Sequence, residues 1–224
     1  MRDLDSIKRS ADANITLGKT ERENAKNLKF LAKDEMERSK IRIKLMDSEL
    51  KVAKRREDMA EHTLKLVEKK YKIRESGLFN FSEDSLKKQK EYAKFLKNLA
   101  TSQRDIAEIN DKIALMEREI AQEKIRLAEI RTEIADLREK LGKKQFDFAK
   151  IARKGDSEQK ITDAESAYLK IEKTLINKKK DHLDRDNKIK KKQLKLADIK
   201  AELSAKVSYQ SKIVPVTRPA DLDH

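Results

Sequence analysis

The chain has no cysteine and no tryptophan, only two prolines and four glycines in 224 residues, and 4% aromatic side chains. Without cysteine there is neither a disulfide nor a thiolate metal site, a condition that suits a reducing cytoplasm and a disulfide-free envelope protein alike. So little proline and glycine leaves few places where a helix must stop. No apolar run near the start has the length of a signal-peptide core, and none elsewhere approaches a membrane span, so the chain as it stands is expected to be soluble. With 43% charged residues and a mean hydropathy of −0.88, a thick globular core is excluded. Long helices that meet along thin seams are not.

What is present is a repeat. Every seventh residue from Ala93 is alanine or glycine: Ala93, Ala100, Ala107, Ala114, Ala121, Ala128, Ala135, Gly142 and Ala149. Seven residues make two helical turns, so these positions form one line along a helix, where only small side chains let a second backbone come close. Beside it runs a line of large residues at steps of three and four, among them Tyr92, Leu99, Ile106, Ile113, Ile120, Leu127, Ile134 and Leu141. A disordered chain has no such sustained repeat.

The expected fold is all-α, an elongated antiparallel three-helix coiled coil running up, down and up as a rod, with a short non-helical C-terminal tail. Residues 1–207 form the coiled coil, with helix 1 over about 4–76, helix 2 over about 82–154 and helix 3 over about 157–206. Gly77 and Gly155 close the first two helices, and Asn80 with Glu83 has capping-box spacing. Asp156 with Gln159 opens the third helix. Pro215 and Pro219 make 208–224 an extended or disordered tail.

Short connections make neighbouring helices antiparallel. Folding helix 1 onto helix 2 sets Tyr71 near Tyr92, Leu64 near Leu99, Leu50 near Ile113 and Ile43 near Ile120. Small residues of helix 1 (Ser39, Ala53, Ala60) then oppose bulky residues of helix 2, two steps of four meeting at Ala32 read as a stutter, and the alanine line is expected to receive helix 3. Glu57, Arg74, Glu123, Lys178, His182, Arg185 and Lys192 fall on core positions, so the seam is weakest between Lys178 and Lys192. There the long stems lie along the seam with their charges in water, or helix 3 opens to a partner.

The formal net charge is +14. Its one concentration is 178–195, with nine basic residues against three acidic, including Lys178, Lys179, Lys180, Lys188, Lys190, Lys191 and Lys192. Such a stretch is either a solvated face or an attractor of anionic surfaces. Nucleic acid is the poorer ligand, because base-stacking aromatics and recognition motifs are lacking. The apolar hairpin tip, Leu78, Phe79 and Phe81, either plugs the end of the core or serves as a docking or membrane-insertion point.

No catalytic, cofactor-binding or metal-binding residues are expected. His62, His182 and His224 share no ligand spacing, and phosphate-cradling glycine loops are absent. The expected function is therefore a non-enzymatic structural or adaptor protein of the cytoplasm, binding protein partners through its seams and its tip, with a homodimer as the expected state. A second reading comes from architecture: three long antiparallel helices with a basic surface resemble BAR-type membrane-bending modules, a resemblance that rests on no motif. It implies a dimeric crescent, peripheral at a membrane, presenting the 178–195 lysines to anionic lipid. A third reading is a component of a larger envelope or motility assembly.

Overall fold

The computed structural model describes residues 3–213, 215 and 216. It contains three α-helices: α1 (Leu4–Glu75), α2 (Glu83–Lys154) and α3 (Glu158–Ser211), with no strand among the described residues. Their contacts fall into two units, each assembled from all three helices. Unit 1 comprises Met1–Arg38 and Arg118–Gln193; unit 2 comprises Ser39–Glu117 and Leu194–His224.

Helix ends follow local chemistry. Gly77 and Gly155 adopt φ of 72° and 67°, the left-handed geometry that ends a helix and that a Cβ disfavours. At the start of α2 the cap is Ser82 rather than Asn80. The Ser82 hydroxyl accepts from the Ser85 amide at 3.5 Å and its carbonyl from the Leu86 amide at 3.0 Å. Glu83, expected to close a capping box, pairs instead with Arg74 at 2.8 Å. In α3 the Ser157 carbonyl accepts from Ile161, one residue beyond the expected Asp156. The helix also continues through 207–211, which sequence had assigned to its fading end and the tail. Proline acts on itself, on the residue before it and on the carbonyl four residues back, so Pro215 reaches only to Ser211, where α3 ends, and cannot break a helix at 208. The chain leaves α3 through two tight turns, Lys212 N–H to Tyr209 O and Ile213 N–H to Gln210 O. The rest of the expected tail, residue 214 and residues 217–224, lies outside the described residues.

Both units are antiparallel three-helix bundles centred on α2. In unit 1, α1 and α2 are tied by Arg22–Asp136 at 2.6 Å, Lys29–Glu129 at 2.8 Å and Lys124–Glu35 at 2.7 Å. In unit 2 the ties are Arg42–Glu117 at 2.7 Å, Arg104–Glu57 at 2.8 Å and Arg74–Glu83. The register differs from the expected one by a helical turn: Arg42 would have reached residue 121 but meets Glu117. The connection between Glu75 and Glu83 leaves no slack, so the last turn of α1 lies opposite the first turn of α2.

That register brings small residues onto small residues, not onto bulky ones. Along α1 the buried positions also recur every seventh residue: Ala11, Gly18, Ala25 and Ala32 in unit 1, then Ser39, Met46, Ala53, Ala60 and Val67 in unit 2. The run passes Ala32 without a stutter. A Cβ on Gly142 would come within 2.6 Å of the Ala11 carbonyl oxygen and 3.3 Å of the Ile15 amide. One on Gly18 would come within 2.8 Å of the Ala135 carbonyl oxygen. The alanine line of α2 therefore receives α1, correcting the expectation that it receives α3. In unit 2 the same register sets Met46, Ala53, Ala60 and Val67 opposite Ala114, Ala107, Ala100 and Ala93.

α3 packs instead on the line of large residues. In unit 1, Ile134, Leu141 and Phe148 of α2 form one buried cluster with Tyr168 and Leu175 of α3, joined by Ile7 and Ala149. The Phe148 and Tyr168 rings meet edge to face with centroids 5.3 Å apart. In unit 2, α2 carboxylates hold α3: Asp105 pairs with Lys206 at 2.8 Å, and Glu117 takes Lys200 at 3.1 Å as well as Arg42 of α1.

A carbonyl oxygen of the opposite helix faces each of Gly18 and Gly142, and unlike the nearby Glu139 and Ile15 side chains it cannot yield to an added side chain. Gly142→Leu is expected to destabilise the fold by about 2–3 kcal/mol or more, at the upper end of overpacking costs. Leu at the exposed Lys54 should change stability by less than about 0.5 kcal/mol. Urea unfolding followed by circular dichroism checks the pair, and equal midpoints would refute the close approach.

Candidate functional site

The packing of α2 is two-sided, whereas that of α1 is not. In α2 every member of the alanine line is preceded by a large residue, as in Ile113–Ala114 and Ile134–Ala135, and from Ile113 to Ala149 both members of each pair are buried. The same order occurs in α1 with the opposite outcome. Leu45, Val52, Met59, Leu66 and Ile73 precede Met46, Ala53, Ala60, Val67 and Arg74, and all five are exposed. They recur every seventh residue and so form one line within unit 2. In an antiparallel pair that meets through the small line, the preceding residues of both helices lean to the same face. A groove of about 450 Å³ lined by Val52 and Ala53 of α1, Ile106 and Ala107 of α2 and Gln210 of α3 reflects that shared side. α3 lies over the α2 part of this face and leaves the α1 line open.

Unit 1 repeats the pattern on a smaller scale. Leu17 and Leu31 of α1 are exposed, as are Leu169, Ile176 and Leu183 of α3, again at steps of seven. Between the two helices runs a groove of about 410 Å³, lined by Glu21, Asn24, Ile134, His182 and Leu183. His182 stands on the α3 core line, between Leu175 and Ile189. Its Nε2 accepts from Arg131 Nε at 2.8 Å, which requires the ring to be neutral with its proton on Nδ1. Burial first, then the Arg131 guanidinium, lowers its pKa below the ordinary histidine value, while Asp186 and Glu21 oppose the shift.

The basic stretch of α3 is not one free patch. Lys178 pairs with Glu133 at 2.6 Å, Arg185 with Glu123, and Lys192 with Glu119, all on α2. Lys190 pairs with Asp186 at 2.8 Å. Lys179, Lys180, Lys188 and Lys191 remain exposed on the turns between these positions. The segment expected to be the weakest part of the seam is thus held by charge pairs across it. At Glu123, burial works against ionisation, but the Arg185 hydrogen bond prevails and holds the carboxyl below its usual range.

At the hairpin tip Leu78 and Phe79 do not plug the bundle: they are 73% and 66% exposed, and Phe79 stacks on the half-buried Phe81 with centroids 6.1 Å apart. Of the histidines, His62 is exposed and His224 lies outside the described residues. Among the described residues no group of three or more His, Cys, Asp or Glu is placed to hold a metal ion, and no helix is long and apolar enough to cross a membrane.

The open α1 line escaped the sequence reading because steps of three and four along helix 1 run equally well through Met36, Ile43 and Leu50. Its sevenfold spacing was the available signal. No family model matches the chain, and no curated protein or solved structure does so either.

His182 gives a pH signature. Its folded pKa lies below the unfolded value near 6.5, so its contribution is intact above that value. As pH falls below it, the unfolded state takes up a proton that the folded state resists, and stability drops. Urea midpoints of the wild-type chain should fall between about pH 7.5 and 5.5, a window above the carboxylate range. His182→Leu should flatten that change, and an unchanged slope in the variant would contradict the assignment.

Proposed function

We propose that the protein is a non-catalytic helical scaffold of the cytoplasm whose ligands are helices of other protein chains, docked on the open apolar line of α1. The observation that carries this reading is the exposure of Leu45, Val52, Met59, Leu66 and Ile73 at heptad spacing. Large apolar residues scattered singly over a surface need no explanation, but a contiguous patch marks an interaction site. A line that repeats every seven residues stays in register only with another α-helix that supercoils around it. A photocrosslinking amino acid replacing Val52 in living cells should give covalent protein adducts, and the same group at Lys54, on the opposite side of α1, should give none. Lipid adducts, or none at either position, would overturn the reading.

The exposed tip favours a second reading, attachment to a membrane. Leu78, Phe79 and Phe81 would enter the interfacial region of an anionic bilayer, with Lys72, Lys87 and Lys88 nearby on the two helices. On this reading the wild-type chain co-sediments with vesicles containing phosphatidylserine, and Phe79→Ser with Phe81→Ser abolishes that while leaving helix content intact. Absence of sedimentation at low salt would dispose of it. The ion pairs of Lys178, Lys190 and Lys192 reduce the charge that a BAR-like lipid face on α3 could offer.

A further inference from the structure

We infer that the end of unit 2 that α3 does not reach is a self-association face, covered in solution by the same face of a second copy of this chain. The inference rests on the scaffold reading for its premise that the open α1 line binds a helix, and it specifies which helix that is at this end.

α3 is 54 residues long against 72 for α1 and α2. Its last turns stop beside Lys97 and Asn98 of α2, where Tyr209 and Lys206 line a shared groove with Asp105. From there to the turn, α1 and α2 continue as two helices. Met59, Leu66 and Ile73 lie on the open line of α1, 71%, 46% and 36% exposed. Tyr92 and Leu99 occupy the equivalent line of α2, and Phe95 lies against Tyr92 with ring centroids 6.2 Å apart; all three are partly exposed. Two antiparallel helices with one apolar face cannot bury it between themselves.

Three observations select a second copy as the occupant. The first is geometry: two such helices complete a four-helix arrangement by gaining two more, which an identical hairpin supplies through a two-fold axis. The second is contiguity. Met59, Leu66 and Ile73 of α1 and the partly exposed Tyr92, Phe95 and Leu99 of α2 put six large apolar residues on one side of the hairpin, a contiguous patch of the kind that marks an interface rather than a scatter of single residues. The third is charge. Over residues 57–100 there are ten Lys and Arg against eight Asp and Glu, so this end is nearly neutral although the chain carries +14. Bringing two copies together here juxtaposes little net charge, and the face does not call for an acidic partner.

Light scattering on the full-length chain over a wide concentration range should give twice the 26.1 kDa chain mass. Leu66→Glu and Phe95→Glu, each alone, should weaken the dimer at least about tenfold without loss of helical circular dichroism, as expected for central positions of an interface. Because the chain has no cysteine, Leu66→Cys or Ile73→Cys introduces one thiol per chain. Mild oxidation of either variant should give a disulfide-linked dimer, and Lys54→Cys should not. A monomer at every concentration overturns the inference, whether residues 212–224 or another protein covers the face. A dimer that ignores both glutamates and crosslinks equally through Lys54→Cys overturns it as well. A monomer that still gives heterologous protein adducts at Val52 would leave the scaffold reading standing while this inference falls.

Discussion

Backbone-to-backbone proximity between α1 and α2 is the constraint on which the other features depend. It requires a small residue on each helix at every second turn, and both supply one: Ala11, Gly18, Ala25 and Ala32 on α1 in unit 1, and Ala128, Ala135, Gly142 and Ala149 on α2. At Gly18 and Gly142 even a methyl group would meet main-chain atoms of the opposite helix. Such a seam has almost no side-chain volume to fill, which is how a chain with 43% charged residues builds a buried interior in unit 1. The turn at 76–82 then sets which small residues meet, because it is too short to allow a slip of one heptad.

With the alanine seam occupied by α1, the large residues that precede each small one are left to find other cover. α3 covers those of α2, through Phe148–Tyr168 and the neighbouring Leu141 and Leu175 in unit 1. Charged positions reinforce this contact rather than disrupt it. Arg185–Glu123 and Lys178–Glu133 hold α3 to α2 in unit 1, and a chain from Glu57 through Arg104 and Asp105 to Lys206 links all three helices in unit 2. Half-buried pairs of this kind offset part of their attraction by desolvation, and their value lies in fixing register along a thin seam. In unit 2 α1 has no equivalent covering helix, so its own large residues there face solvent in a line.

Much of the fold could be read from the amino-acid order. Gly77 and Gly155 marked the helix ends because left-handed geometry suits residues without a Cβ, and the sevenfold alanine repeat of α2 marked a helix contact because spacing alone puts those residues on one line. The register is where sequence and structure part. Folding the line Tyr71, Leu64, Leu50 and Ile43 of helix 1 onto the large line of helix 2 puts the register a turn away, sets Ser39, Ala53 and Ala60 against bulky residues and leaves the alanine line to helix 3, whereas the buried line of α1 runs through Ser39, Met46, Ala53, Ala60 and Val67. For Leu78 and Phe79, hydrophobicity could not distinguish a plug from an exposed tip. That depends on where the bundle ends relative to the turn.

Amino-acid order by itself determined that this protein is three long helices, where two of them end, and that one carries a line fit for close contact. Periodicity and capping are local properties, complete within a few turns of one helix. Tertiary structure alone decided which helix takes that line, which charges pair across the seam, and that Leu45, Val52, Met59, Leu66 and Ile73 lie open. Helix 1 offers two apolar lines one residue apart. Which of them is buried depends on the angle at which a neighbour approaches, and no repeat within a single helix records that angle.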